Sequence, residues 1–102
     1  MAALIVVRPE VDWQSSGGLF DFVLEFLIPR LADRQAAEWL QTVVDNNLGS
    51  VSIAQFPQAT QQEIGRLLRT GLVAAAEQEL PDADAKTSAL ARLQELADLV
   101  SV

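Results

Sequence analysis

The chain of 102 residues carries 7 Lys and Arg against 14 Asp and Glu, a net charge of -7, and half of it is apolar. That length suits one domain over residues 1–102, the apolar half excludes a disordered chain, and the acidity argues against direct binding to nucleic-acid phosphates. With no His and no Cys, there is no zinc finger, imidazole base, cysteine nucleophile, c-type haem attachment or disulfide framework.

Residues 2–7, Ala-Ala-Leu-Ile-Val-Val, are a β-favouring apolar run that stops at Arg8 and Pro9. They read as a short strand or a buried extended arm. The run lacks the basic lead and small-residue cleavage site of a secretory signal, so the expected location is the cytoplasm. Residues 10–18 mix charges with Trp13 and Ser15-Ser16-Gly17-Gly18. This is loop chemistry, with serines able to cap a following helix.

Residues 19–28 predict a first helix, almost wholly apolar, with Asp21 and Glu25 one turn apart as its wet stripe. The segment is about half the roughly 20 residues that cross a bilayer, and Pro29 ends or kinks it. Phe20 and Phe22 point to opposite sides, so this helix is either central or gives one side to a contact outside the monomer.

Asp33 is placed to cap a second helix from Arg34 to about Asn47, with Ala36, Leu40, Val43, Val44 and Leu48 on one face and Gly49 as a stop. Residues 51–56 read as extended. They either pair with the N-terminal run in a two-stranded ribbon or plug the core through Ile53 and Phe56. Thr60-Gln61-Gln62-Glu63 has the pattern of a capping box. A third helix follows, with Ile64, Leu67, Leu68, Gly71, Leu72, Ala75 and Ala76 in register, until Pro81. Asp82 or Asp84 starts a last helix carrying Leu90, Leu93, Leu96, Ala97 and Val100. The expected fold is mainly α: a small, four-helix bundle-like domain with a short extended N-terminal arm.

Few residues offer reactive chemistry. Ser15-Ser16-Gly17-Gly18 lacks the spacing and the lysine of a phosphate-cradling loop. A serine hydrolase has neither its G-x-S-x-G nor a proton acceptor. Asp82-Ala83-Asp84 fails as a calcium loop because Leu93 stands where a bidentate Glu is needed. No carboxylate pair faces another across a recognisable cleft. Acyl and peptidyl carriers, also small, acidic and four-helical, carry their prosthetic serine in Asp-Ser-Leu, and no Asp-Ser occurs here. The expectation is therefore no enzyme, no metal and no cofactor.

What remains is surface. Glu77, Glu79, Asp82 and Asp84 cluster around the last interhelical turn, either as a patch for a basic partner or as acids favoured by the start of the last helix. Arg30, Arg34, Arg66 and Arg69 are expected to pair internally or face water. Trp13, in its polar surroundings, is either a lid folded over the first helix or an apolar anchor for a partner. Gly71, Ala74, Ala75 and Ala76 permit a close helix approach, within the chain or in a dimer. An acidic surface speeds encounter with a basic protein. In size, acidity and helical content, though in no motif, the chain resembles bacterial immunity and antitoxin proteins. The expectation is a non-enzymatic inhibitor of that type, binding a basic protein through Glu77, Glu79, Asp82, Asp84 and Trp13, with no direct nucleic-acid or membrane contact. The alternative is a homo-oligomeric structural or adaptor subunit, a homodimer being its simplest form, joined through an apolar helix face.

Overall fold

In the computed structural model, which describes residues 2–100, the N-terminal apolar run is strand β1 (Ala2–Arg8), and its alternation buries Ala3, Ile5 and Val7 while Leu4 and Val6 are half-buried. Pro9 and Glu10 turn the chain, Glu10 with a positive φ of 68°, into an antiparallel strand β2 (Val11–Ser16). Residues 11–16 are thus not the loop expected from their polarity. Their inward position is filled by Trp13, paired with Ile5 and only 2% exposed, and one large aromatic suffices to give the strand a buried face.

Helix α1 (Gly17–Leu27) follows at once, capped by the Ser16 hydroxyl, which accepts from the Leu19 amide. Pro29 lies just past its end. Helix α2 (Arg34–Asp45) begins as expected, with an Asp33 carboxylate oxygen accepting from the amides of Gln35 and Ala36. Strand β3 (Ser50–Ser52) is shorter than the expected extended segment and pairs with β1 in parallel. A 3₁₀ turn over Ile53–Gln55 then buries Ile53, and Phe56 behind it is buried as well. The sheet therefore has three strands in the order β2-β1-β3. The domain is small, compact and α-rich, but the sheet makes it something other than a four-helix bundle with an arm.

Helix α3 (Gln58–Glu79) corrects the capping box. It starts at Gln58, two residues before Thr60, with Pro57 as N-cap and no side-chain cap. Proline supplies the starting φ directly, which leaves Thr60 inside the first turn, 5% exposed, its hydroxyl donating to the second Asp33 oxygen at 2.7 Å. Glu63, the other half of the expected box, instead accepts from the Ala32 amide. Helix α4 (Asp84–Leu99) begins after Ala83, also without a side-chain cap, and Asp84 favours its first turn. The close approach foreseen at Gly71 is internal: a Cβ there would stand 3.2 Å from Phe26 Cζ of α1. The core joins Trp13 and the inward side of β1 to Phe20, Val23 and Leu24 of α1, Leu40 and Val43 of α2, Ile64, Leu68 and Leu72 of α3, and Leu93 and Leu96 of α4.

The Thr60 hydroxyl, then the Ala36 and Gln35 amides, hold the Asp33 carboxyl below its ordinary value of 3.8. A depressed folded-state pKa contributes stability that is present above 3.8 and lost as pH falls through the folded value. Thr60→Val, which keeps the side chain's shape and removes its donor, should therefore lower Tm at pH 7. The deficit should shrink as the pH is taken down below 3.8, which thermal melts across that range would record. A deficit constant with pH would assign the cost to packing alone.

Candidate functional site

The last turn of α3 and the start of α4 form one wall of an apolar cleft, and the outer side of α1 forms the other. Leu80, the C-cap of α3, Ala85 and Ala89 of α4, and Leu19 and Phe22 of α1 give the apolar lining of a recess of about 410 Å³, which Gly18, three serines and Arg92 complete. Leu80, Ala85 and Ala89 also border a second depression of about 190 Å³, completed by Pro81, Ala83 and Lys86. Phe22 continues the apolar surface towards Phe26, Glu25 and Glu79. The two-sided apolar character read from Phe20 and Phe22 thus resolves into Phe20 in the core, 1% exposed, and Phe22 half-buried in this cleft.

The four acids singled out in the sequence are exposed around the same turn; none lines either recess, and Glu79 borders the depression beside Phe22. They alternate in the chain with the lining of those recesses: Glu79 precedes Leu80, Asp82 separates Pro81 from Ala83, and Asp84 precedes Ala85. Lys86 reaches across the turn, its Nζ donating to the Glu77 carbonyl at 2.7 Å and to Asp82 Oδ1 at 3.0 Å. Glu77, Glu79 and Asp84 have no ion-pair partner among the described residues.

Trp13 lies elsewhere. Its ring is in the core and its Nε1 donates to the Arg92 carbonyl at 2.8 Å. Buried under α4, it offers no side chain to a partner, and the anchor expected of it is corrected to a structural tie. The exposed large apolar side chains are instead Trp39, 39% exposed on α2, and Leu48, 50% exposed beyond it. Phe22 is not among the residues expected to bind a basic partner, yet the cleft includes it; its signal in the sequence is an aromatic pointing away from Phe20 on an almost wholly apolar helix.

Every basic side chain is engaged within the chain, chiefly with carbonyls rather than carboxylates. Arg30 donates to Phe26 O and stacks over the Phe26 ring at 4.2 Å. Arg34 serves Ile28 O and Leu31 O, Arg8 serves Leu99 O, and Arg69 serves Val100 O. Arg66 pairs with Glu63 at 3.8 Å, and Arg92 with Glu95 at 2.9 Å. The net negative charge therefore resides in carboxylates that face water. Among the described residues no group of three or more acids is placed to hold a metal ion, and no helix is long and apolar enough to cross a membrane. No family model, curated protein or solved structure matches the chain.

Replacing Trp13 by Phe should leave the Arg92 carbonyl without its donor and open space beneath α4. We expect a loss of about 2–3 kcal/mol in urea unfolding, with helix content unchanged. A variant as stable as the parent would return Trp13 to the surface role.

Proposed function

We propose that the protein is a non-enzymatic, acidic binding module of the inhibitor, immunity or antitoxin kind, which neutralises a basic protein partner. The supporting observation is the interleaving of exposed acids with the apolar lining of one cleft: Glu79, Asp82 and Asp84 alternate in the chain with Leu80, Pro81, Ala83 and Ala85. Apolar contact supplies affinity at the centre of such a surface, while charge at its rim sets the encounter rate and the choice of partner. The fitting partner is a segment whose apolar side chains are flanked by Lys or Arg.

The second reading, a homo-oligomer, draws on the same cleft through Leu19 and Phe22. A two-fold contact would set two copies of the acidic rim against each other, in a chain of net charge -7. That repulsion makes the basic partner the better reading.

A tagged chain recovered from its native host at low and raised salt, with mass spectrometry of what accompanies it, tests the proposal. One basic protein should be recovered in stoichiometric amount and lost as salt rises. The double variant Glu79→Lys/Asp84→Lys, both sites exposed, should bind it roughly tenfold or more weakly, with helicity intact. Undiminished binding would remove the acidic rim from the interface. Recovery of only the untagged copy of this chain would establish the oligomer instead.

A further inference from the structure

The cations of this chain serve helix ends, and at one of those ends two of them share a recess. A cavity of about 260 Å³ opens between the start of α3 and the end of α4, lined by Arg8, Gln58, Gln62, Gly65, Arg69 and Val100. Arg8 Nη1 donates to Leu99 O at 2.9 Å and Arg69 Nη1 to Val100 O at 3.3 Å. Two guanidiniums, one from β1 and one from α3, thus converge on successive carbonyls of one helix end.

Among the described residues neither has a carboxylate within ion-pair distance, the ion pairs there belonging to Arg66, Lys86 and Arg92. The end of α4 supplies only about half of one negative charge against these two positive ones. The start of α3 adds roughly half a positive charge of its own. No side chain caps it, its first turn carries free backbone donors, and Gln58 and Gln62 stand in the wall. Among the described residues this leaves a corner of an acidic protein with positive charge that no carboxylate compensates, inside a concavity, with several N–H groups still to be used.

We propose that this recess binds an oxyanion group, the phosphate or carboxylate of a small molecule, between the guanidiniums of Arg8 and Arg69. Guanidinium donors match the paired oxygens of either group. The volume falls below the roughly 300–1,000 Å³ of sites that enclose drug-sized ligands, so it takes the charged end of a small metabolite. Gly65 shapes the site: a Cβ there would stand 3.1 Å from Arg69 Nη1, so the bare backbone lets Arg69 lie back along α3 to reach the end of α4. The recess shares no lining residue with the acidic cleft, and either site can fail without the other.

Calorimetric titration of the 102-residue chain with inorganic phosphate, and separately with succinate, at ionic strength fixed by chloride, tests the site. Saturable binding of at least one of them at one site per chain is expected, and which one binds names the group. Arg69→Gln, an exposed position that leaves folding intact, should weaken it about tenfold. Gly65→Ala should weaken it by displacing the Arg69 guanidinium, with Tm near that of the parent. No heat beyond the chloride control, or binding that Arg69→Gln leaves unchanged, would overturn the proposal.

Discussion

Trp13 and Arg92 hold the two ends of the chain together through a reciprocal pair of hydrogen bonds. The indole N–H donates to the Arg92 carbonyl, and the Arg92 guanidinium donates back to the carbonyl of Gln14, beside Trp13 on β2. An indole buried without an acceptor for its N–H is costly, so α4 stabilises the sheet that it covers. The reverse holds too. Helix α4 has no side-chain cap and only Leu93, Leu96 and Ala97 fully buried, so its position comes from the surface it meets rather than from its own ends. The same pair occupies a carbonyl of β2, an edge strand that would otherwise present its backbone for pairing with other chains.

Charge is distributed by a related constraint. Helices α1 and α3 stop just ahead of Pro29 and Pro81, and neither ends in the glycine that would fold the last carbonyls onto amides of the following turn. Long cationic side chains satisfy those carbonyls instead: Arg30 and Arg34 at the end of α1, Lys86 at the end of α3, Arg8 and Arg69 at the end of α4. A positive group is also favoured there by the helix dipole. In a chain with twice as many acids as bases, cations used in this way leave most carboxylates to water, and the acidic surface follows from how the helices end.

The sequence reveals those features whose cause is local. Asp33 as a cap, the proline stops and the apolar registers of the helices depend on neighbours within a turn or two, and they stand where the pattern places them, except that α2 ends at Asp45 and leaves Leu48, expected on its apolar face, 50% exposed beyond it. Strand β2 is hidden because Asp12, Gln14 and the serines match a loop in composition, and only tertiary burial of Trp13 distinguishes the two. The Thr60 pattern misleads because Pro57 starts the helix earlier and a distant partner, Asp33, claims the hydroxyl. The acidic turn is legible as a run of charges, but Leu19 and Phe22 come near it only because α1 and α4 both pack against α3 and β2. Arg8 and Arg69 lie in different elements, and nothing in either neighbourhood indicates that both reach the end of α4.

Helix α4 borders both concavities, the cleft through Ala85 and Ala89 near its start and the cationic recess through Val100 at its C-cap. Sixteen residues at about 1.5 Å each place the two regions on the order of 20 Å apart, far enough that screening at physiological salt largely isolates their opposite charges. A molecule of net charge -7 can therefore present an acidic, apolar surface at one end of a helix and a positive recess at the other without the first filling the second. Both sites need α4 to be held in place, and between them it is held by the Trp13 bond at Arg92. The sheet thus holds in place the helix that borders both concavities and lends each of them lining residues of its own, Arg8 of β1 to the recess and Ser15 and Ser16 of β2 to the cleft.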